Sequence, residues 1–333
     1  MHAFIAAIEY SLPEQTLTTE NLSAMFPEWG VEKIDAKTGI HTRHIAGVNE
    51  CASDLAERAV RKLFESGACL PLDIDFLILC TESPDYLLPP TACLLQERLG
   101  VSNQVGAFDF NLGCSGFVYG LGLAEGLVVS GQAHTIVLIT ADTYSKYLKE
   151  TDRSSRTIFG DGAAATLIKA QERSSPSIGP FVYGTNGKGA NHLIVRNSGT
   201  RGGLRNFDGV DEKQSLSMDG HRMFDFAVTT VPQTINLLLD KANLKQDQID
   251  LFVFHQANAY ILEELRRSLK IDKEKFQLAM RDSGNTTSST IPIALKQAEL
   301  KGRLQHDARI MLVGFGVGYS WGATILRWNA EHP

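Results

Sequence analysis

Short apolar runs recur along the chain and alternate with stretches of helical periodicity. Residues 74–80 and 249–255 are apolar runs of strand length, bounded by acidic or polar residues. Each follows an amphipathic stretch, residues 53–66 in the first case and residues 231–242 in the second. Apolar runs of this length predict buried strands. Their alternation with helices predicts an α/β fold, with mostly parallel sheets that helices cover on both faces.

The same order of elements occurs twice, with corresponding segments about 175 residues apart. That spacing is too long for a solenoid repeat and suits a duplicated domain. In each copy the predicted strand is followed by a helix and then by a turn, which carries Cys114 in the first copy and Asn285 in the second. The other corresponding segments are residues 91–99 and 260–269, 135–140 and 309–313, and 160–165 and 320–324.

The duplication predicts two α/β halves that pack face to face around shared central helices. We place the first half at residues 1–172 and the second at residues 173–333, with the boundary in the polar stretch 171–177. Residues 184–214 are rich in Gly, Asn and Arg and lack periodicity. They are either an excursion near a substrate entrance or a plain surface loop.

Composition excludes several classes of function. The chain has 333 residues, 43% of them hydrophobic, and a formal net charge of −6, so bulk charge does not favour nucleic-acid binding. The five cysteines show no metal-ligand spacing and suit a reducing, cytoplasmic setting. Residues 1–10 predict a first strand rather than a signal peptide, and no apolar run has transmembrane length. We expect no metal, no nucleic acid and no membrane.

Residues 111–117 place Cys114 just before the small-residue run 118–129. This arrangement predicts a strand that delivers Cys114 to the start of a helix, where unpaired N–H groups favour thiolate over thiol. We therefore expect the pKa of Cys114 to lie below that of a free thiol. Gly113 and Gly116 leave room for a substrate carbonyl. A buried structural cysteine is the alternative that this segment alone leaves open.

Two further segments indicate catalysis. His255 ends the second predicted strand, at the edge of the sheet where ligands bind in open α/β folds. Asn285 lies at the duplicated counterpart of the Cys114 turn, so symmetrical packing would bring both turns to one pocket. A satisfied core histidine and an ordinary helix N-cap are the alternatives. Residues 314–320 carry three glycines at alternate positions, which would allow a turn and expose N–H groups for an oxyanion hole.

These segments, in this order and spacing, resemble β-ketoacyl-acyl-carrier-protein synthase III of the thiolase superfamily, over essentially the whole chain. The resemblance implies a thiolase-like five-layered αβαβα fold made of two duplicated halves, and a homodimer. It also implies a catalytic triad at Cys114, His255 and Asn285. Further matching segments are residues 11–15, 37–40, 43–46, 159–165, 255–258, 284–286 and 321–322.

The resemblance implies a reaction in two steps. Cys114 first takes the acyl group from an acyl thioester of coenzyme A or carrier protein. Malonyl-acyl-carrier protein then loses carbon dioxide, and its carbanion attacks the acyl-enzyme to give a 3-oxoacyl-acyl-carrier protein. We expect His255 and Asn285 to donate hydrogen bonds to an enolate oxygen, and the backbone N–H groups of Cys114 and Val317 to hold the other oxyanion. No cofactor is expected, because coenzyme A and phosphopantetheine thioesters are the substrates.

Substrate-binding positions carry over from the family with one change. Trp29 and Arg153 match residues that hold the adenine of coenzyme A, whereas Lys37 stands where an arginine is usual. Arginine and lysine are not equivalent at a bidentate site. The remaining expected substrate-binding residues are Phe224, Ala257 and Leu88.

Other positions depart further from the family. Leu88 stands where a bulkier phenylalanine can limit the acyl pocket across the dimer. Tyr260 stands where an arginine often contacts the carrier protein or the phosphopantetheine arm, and Asp225 replaces a lysine near the tunnel mouth. Arg266 and Arg267 keep a basic pair for docking an acyl carrier protein, although a solvated helix face explains that pair equally well. These departures suggest a paralogue in a specialised pathway. They leave open the primer acyl group, its carrier and the pathway.

Two other functions compete with decarboxylative condensation. An acyltransferase would move the acyl group from Cys114 to a hydroxyl or amine, but such relatives often carry an acid in place of Asn285. A non-catalytic partner subunit would usually lack the cysteine. The residues present therefore favour condensation.

Overall fold

The computed structural model describes residues 1–196, 198–202 and 215–328. The strands are β1 (His2–Ser11), β2 (Thr16–Thr18), β3 (Thr42–His44), β4 (Phe76–Cys80), β5 (Gly106–Phe110), β6 (Thr135–Asp142), β7 (Gly162–Gln171), β8 (Ile178–Thr185), β9 (Leu193–Val195), β10 (Leu216–Met218), β11 (Leu251–Phe254), β12 (Arg309–Gly316) and β13 (Ser320–Arg327). The helices are α1 (Thr19–Met25), α2 (Val31–Thr38), α3 (Ala52–Glu65), α4 (Thr91–Leu99), α5 (Gly116–Val129), α6 (Arg153–Arg156), α7 (Gly199–Gly202), α8 (Gly220–Ala242), α9 (Ala259–Ser268) and α10 (Thr290–Leu300).

Two large sheets repeat one topology. The strand order is β1-β7-β6-β4-β5 in the first sheet and β8-β13-β12-β11 in the second. The fifth position of the second sheet is reduced to a single parallel bridge between Phe252 and Phe276. β7 ends at Gln171 and β8 begins at Ile178, so each large sheet draws its strands from one half of the chain.

The prediction of mostly parallel sheets is wrong. β4 pairs in parallel with β5 and β6, and β11 with β12, but β1–β7, β6–β7, β12–β13 and β13–β8 are antiparallel. The short turn between β12 and β13 explains one of these pairings, because a parallel crossover needs a dozen or more residues. The apolar pattern of a strand buried on both faces does not reveal its direction.

Helices cover both faces of each large sheet. In the first sheet, successive side chains of β4 and β6 point to opposite faces and pack in different cores. Leu77, Leu79 and Val137 pack in one apolar core with α3 and α4, whereas Ile78 and Leu138 face a central core that contains α5 and α10. The opposite face of the second sheet packs on α8 and α9 in a third core. The layers are therefore α3 and α4, the first sheet, α5 and α10, the second sheet, and α8 and α9. The predicted five-layered fold is confirmed.

The described part of the segment at residues 184–214 contains regular secondary structure, which its composition does not predict. β9 lies within it and pairs antiparallel with β10, and α7 follows at Gly199–Gly202. Position 197 and positions 203–214 lie outside the described residues. Leu193 and Leu216 pack with Tyr144 and Phe159 in a small apolar cluster that also contacts Val317. This packing places the excursion beside the candidate site.

Over the described ranges, no helix is long and apolar enough to cross a membrane. In the same residues, no group of three or more His, Cys, Asp or Glu side chains is arranged to hold a metal ion.

Candidate active site

Cys114 lies in the turn between β5 and α5, as the sequence predicts. The turn is closed by a hydrogen bond from the Gly116 N–H to the Gly113 carbonyl at 2.8 Å. The Cys114 residue is only 6% exposed. Ser115, the N-cap of α5, shares a hydrogen bond of 2.7 Å with Ser320 of the second half. The nucleophile turn is therefore fixed between the two halves of the chain.

Two of the alternating glycines make room for this turn rather than forming a loop. Gly314 and Gly316 lie inside β12. A Cβ on Gly314 would stand 2.8 Å from the Cys114 carbonyl oxygen, and a Cβ on Gly316 would stand 2.6 Å from Cys114 Sγ. Gly318 alone has the left-handed backbone, with φ of 129°, in the turn that follows. Close approach of the nucleophile accounts for the first two glycines.

The expectation of a lowered Cys114 pKa is wrong. Burial raises the pKa of the Cys114 thiol above its ordinary value, and the neighbouring carboxyl of Glu82 raises it further. The backbone N–H groups of Val317 and of Cys114 itself oppose the rise. Desolvation outweighs the field of the helix start, so the resting nucleophile is a thiol. The two opposing N–H groups are those expected to form the oxyanion hole, and both are close enough to Sγ to stabilise its charge.

His255 lies at the end of β11 and is almost fully buried. Its N–H donates to the Val313 carbonyl at 2.8 Å, which extends the pairing of β11 with β12. Its Nδ1 is 2.7 Å from Thr290 Oγ1, and that hydroxyl donates to the Thr287 carbonyl at 3.1 Å. Because a hydroxyl has one proton, Thr290 must accept from Nδ1, which leaves Nε2 as the acceptor. Burial lowers the pKa of His255 to about 3, so the ring is neutral.

Asn285 presents its amide to this acceptor. Its Oδ1 accepts the Thr287 N–H at 3.0 Å, and its Nδ2 lies 3.5 Å from His255 Nε2 and 3.4 Å from the Ala257 carbonyl. The N-cap of α10 is Ser289 rather than Asn285. The side chain therefore holds the short turn that precedes α10 through its oxygen, and its amide N–H groups face the site.

The C-terminal end of β12 joins these groups. Val313 and Phe315 contact His255, the latter with ring centroids 5.7 Å apart, while Gly316 and the N–H of Val317 contact Cys114. Alternating residues of one strand thus hold the histidine and the cysteine, and Asn285 reaches the histidine from the turn before α10. The arrangement offers a thiol, a neutral base, an amide donor and two backbone donors, which suits acyl transfer through a covalent intermediate.

Two residues of this site are not predicted from the sequence. Thr290 orients His255, and no sequence signal marks that role, because it depends on packing between distant segments. Glu82 follows β4 by two residues, and a polar side chain just beyond a buried strand is a detectable signal. Its carboxyl lies against Gly113 and next to Cys114.

Trp29, Lys37 and Arg153 come together at the surface. Lys37 Nζ lies 5.1 Å from the centre of the Trp29 ring, and Arg153 Cζ lies 5.5 Å from it. Lys33, which sequence analysis did not name, approaches the same ring at 5.1 Å. Arg153 is also paired with Glu28 at 2.5 Å. The cluster combines an aromatic face with positive charge, which suits a planar, anionic ligand.

Three other expected substrate residues differ in position. Ala257 adjoins Asn285 through its carbonyl. The ring of Phe224 on α8 lies 5.4 Å from that of Tyr260 on α9, centroid to centroid, with the planes tilted by 31°. Tyr260 is 61% exposed, so this pair lies at the surface. Leu88 is 81% exposed, so it does not line the Cys114 site of its own chain.

Arg266 and Arg267, the basic pair on α9, differ in their contacts. Arg266 Nη1 donates to the Ile271 carbonyl at 2.8 Å beyond the helix end, and the same side chain pairs with Glu263 at 3.0 Å. Its side chain is 18% exposed, whereas that of Arg267 is 72% exposed and lies 3.8 Å from Glu263. Arg266 therefore ties the end of α9 to the segment that follows it, whereas Arg267 keeps most of its side chain exposed.

Comparisons with known families agree with this geometry. The family model of 3-oxoacyl-acyl-carrier-protein synthase III matches residues 108–187, and the model of its C-terminal region matches residues 239–328. The chain is 35% identical over 317 residues to the β-ketoacyl-acyl-carrier-protein synthase III of Methylococcus capsulatus, which covers 95% of this chain and 96% of that protein. It is 37% identical to the β-ketoacyl-acyl-carrier-protein synthase III 2 of Halalkalibacterium halodurans, over 98% of this chain and 97% of that protein.

Solved structures show the same fold. A crystal structure of a 3-oxoacyl-acyl-carrier-protein synthase III matches with a TM-score of 0.95 and 47% identity, over 98% of this chain and 100% of the other. The enzyme of that name from Pseudomonas aeruginosa matches with a TM-score of 0.89 and 31% identity, with full coverage of both chains. The priming β-ketosynthase of the R1128 polyketide pathway matches with a TM-score of 0.90 and 26% identity, over 100% of this chain and 97% of the other.

Proposed function

Because the chain belongs to the β-ketoacyl-acyl-carrier-protein synthase III family, we propose that it condenses an acyl thioester with malonyl-acyl-carrier protein. The products are carbon dioxide and a 3-oxoacyl-acyl-carrier protein, which is the chemistry of fatty acid biosynthesis. The observation that carries this proposal is the convergence of Cys114, His255 and Asn285 around the end of β12. The enzyme is an acyltransferase of the condensing type.

The first step loads the acyl group. His255 Nε2 accepts the thiol proton while Cys114 Sγ attacks the thioester carbonyl. The N–H groups of Cys114 and Val317 stabilise the oxyanion, and they already approach Sγ in the free protein. The bond to the departing thiol then breaks, and the proton on Nε2 passes to the leaving thiolate. His255 is thereby returned to its neutral form.

The second step forms the carbon–carbon bond. Loss of carbon dioxide from the malonyl thioester leaves an enolate, whose carbon attacks the acyl group on Cys114. The bond between the acyl carbon and Sγ then breaks, and the departing Cys114 thiolate takes a proton from water to become a thiol again. The Asn285 amide stabilises the enolate oxygen, because it donates in every protonation state. His255 Nε2 donates only when it carries a proton, and burial disfavours that form. Asn285 is therefore the principal donor to the enolate.

The proposal is tested on the intact enzyme with two assays. Incubation with a panel of acyl thioesters should add one acyl mass, and peptide mapping should place it on Cys114. Subsequent addition of malonyl-acyl-carrier protein should release carbon dioxide and form the 3-oxoacyl product. An adduct on Cys80 or Cys93 would contradict the assignment of the nucleophile. Acylation without any decarboxylation, together with transfer to a hydroxyl acceptor, would establish the acyltransferase function instead.

Coenzyme A is the proposed ligand of the Trp29 cluster. The adenine ring of coenzyme A can stack on Trp29. The phosphates of coenzyme A would be met by the positive charge of Lys33, Lys37 and Arg153. The cluster lies near the site, because Gly39 at the end of α2 packs against Ala259 at the start of α9. The proposal needs no cofactor beyond the thioester substrates.

A homodimer is proposed from the exposed edge of the first sheet. β5 is the edge strand, and its residues are only partly buried. The neighbouring loop exposes Tyr86, Leu87 and Leu88 at 62%, 63% and 81%. An unprotected edge strand beside exposed apolar side chains is suited to pairing with a second chain. In such a dimer Leu88 can reach the acyl pocket of the other subunit.

Replacing Leu87 with aspartate should therefore raise the dimer dissociation constant by about tenfold or more. A tenfold rise corresponds to a loss of about 1.4 kcal/mol of dimerisation free energy. Analytical ultracentrifugation at micromolar concentration measures the effect. Leu72→Asp is the matched control, because Leu72 is 77% exposed and precedes β4, whereas Leu87 follows that strand at its other end. A wild-type chain that sediments as an active monomer would exclude the dimer.

Docking of acyl carrier protein is proposed to depend on Arg267. An acidic partner must meet local positive charge, because this chain has a net charge of −6. Arg267→Glu should raise KM for carrier-bound malonate by about tenfold and leave KM for a small malonyl thioester nearly unchanged. Lys301→Glu makes the same charge change at another exposed position. Equal effects of Arg267→Glu on both substrates would contradict this docking surface.

A cytoplasmic location is proposed from the cysteines. All five are unpaired. A nucleophilic thiol must stay reduced to function, and reducing compartments maintain that state. The expected absence of nucleic-acid and membrane partners stays a prediction from composition.

A further inference from the structure

Glu82 lies beside the nucleophile, and the reaction described above assigns it no role. β4 and β5 are adjacent parallel strands, so the segments that follow them meet at one edge of the first sheet. Glu82 follows β4, and the Cys114 turn follows β5. A Cβ on Gly113 would collide with Glu82 Oε2. The carboxyl therefore packs directly on the turn that carries the nucleophile.

The Glu82 carboxyl has no counter-charge. Its Oε2 is buried and has no hydrogen-bond partner in the described part of the chain, although the residue as a whole is partly exposed. Burial raises the pKa of Glu82 to about 8, with a further rise from the charge of Asp142, while hydrogen bonding by Tyr144 opposes it. The titratable groups that face it are acids and phenols, namely Cys80, Cys114, Asp142, Tyr144 and Tyr147.

Asp142 receives the hydrogen bonds that Glu82 lacks. Its Oδ1 accepts the backbone N–H of Glu82 at 2.8 Å, and its Oδ2 accepts the Ser288 hydroxyl at 2.6 Å and the Thr287 hydroxyl. These bonds oppose the rise that burial causes in the Asp142 pKa. Hydrogen bonds to the charged form favour ionisation, and two adjacent buried carboxyls resist double ionisation. The negative charge therefore rests on Asp142 and the proton on Glu82.

We propose that Glu82 is a positioning residue that acts through Cys114: as a neutral acid it permits the thiol to ionise, and as a carboxylate it prevents this. After burial, Glu82 is the largest contributor to the raised pKa of Cys114. A second negative charge in a buried site lowers the extent of thiol ionisation by about 10- to 100-fold. The consequence of Glu82 ionisation for turnover rests on the proposed function, but the effect of that ionisation on the Cys114 thiol can be measured without substrate.

The direction of the pH dependence follows from this coupling. As pH rises through about 8, Glu82 loses its proton and the pKa of Cys114 rises further. The reactivity of the wild-type thiol should then increase less steeply with pH than that of a variant with a permanently neutral side chain. Glu82→Gln is such a variant, and it keeps the size and shape of the glutamate.

The experiment measures alkylation of Cys114 by iodoacetamide in the full chain, from pH 6 to 9.5, with peptide mass spectrometry to separate the five thiols. The rate ratio of Glu82→Gln to wild type should be near one at pH 7 and about five to ten at pH 9, since Glu82 is then mostly ionised. Glu125→Gln is the matched control. Its carboxylate lies on α5 but bonds the Ala3 N–H at 2.7 Å, away from the nucleophile, and its ratio should stay constant with pH.

A Glu82→Gln ratio that does not change with pH would overturn the proposal. Tyr144→Phe provides a second test should Glu82→Gln fail to fold. The Tyr144 hydroxyl lowers the pKa of Glu82, so its removal should move the break in the wild-type profile to higher pH. An unchanged break in Tyr144→Phe would also contradict the coupling. A wild-type enzyme that shows the alkylation profile but forms no 3-oxoacyl product would overturn the proposed function and leave this inference standing.

Discussion

Replacing Asn285 with alanine should slow release of carbon dioxide from malonyl-acyl-carrier protein by about 100- to 1,000-fold, the usual effect of losing one oxyanion donor. Loading of Cys114 should change by no more than about threefold, because the loading oxyanion has its own backbone donors. The physical reason is the fixed orientation of the amide. The Thr287 N–H holds Oδ1, so Nδ2 is directed toward His255 Nε2 and the site.

The two half-reactions are measured separately, by intact mass spectrometry for loading and by trapping of labelled carbon dioxide for decarboxylation. Asn258→Ala is the matched control, because the Asn258 side chain caps α9, where its Oδ1 accepts the Ile261 N–H at 2.9 Å. That variant should lose about 1 kcal/mol of stability and keep both half-reactions. An equal loss of loading and decarboxylation in Asn285→Ala would assign Asn285 to the fold rather than to the enolate.

The fold was largely predictable because the apolar runs that mark its strands are local. The run at residues 249–255 corresponds to β11, and that at residues 74–80 corresponds to β4. Boundaries were less predictable. The helix predicted at residues 231–242 begins at Gly220, because Asp219 caps it by accepting the Arg222 N–H and the chain continues through Pro232. A proline near the predicted start concealed the preceding turns.

The parts of the candidate site that depend on the type and position of single residues are predictable from the sequence. The parts that depend on packing between distant segments are not. Cys114, His255 and Asn285 stand at strand or turn positions that the sequence marks. The raised pKa of Cys114 comes from burial and from Glu82, which is distant in sequence. Local reasoning from the helix start therefore gave the wrong direction. The alternating glycines of residues 314–318 predict a turn, but two of them, Gly314 and Gly316, serve a close approach between the halves of the chain.

That close approach makes Gly316→Ala a strongly disruptive substitution in the site. The new Cβ would lie 2.6 Å from both Cβ and Sγ of Cys114, closer than van der Waals contact allows. β12 is buried and paired on both sides, so it has little freedom to move away. Overpacking of this kind costs about 1–3 kcal/mol, and a displaced nucleophile should load acyl groups about 100-fold more slowly or worse.

Gly126→Ala is the control that separates this contact from a general effect of adding a methyl group. Gly126 lies in α5, the helix that follows Cys114, and a Cβ there would meet nothing within 4 Å. Alanine at that position should stabilise the protein by about 0.5–1 kcal/mol through helix propensity and leave loading unchanged. Thermal unfolding and the rate of acyl-Cys114 formation are measured for both variants. Loading at the wild-type rate in Gly316→Ala would show that Cys114 is not held against β12 during the reaction, because the space that the methyl group fills would then be free.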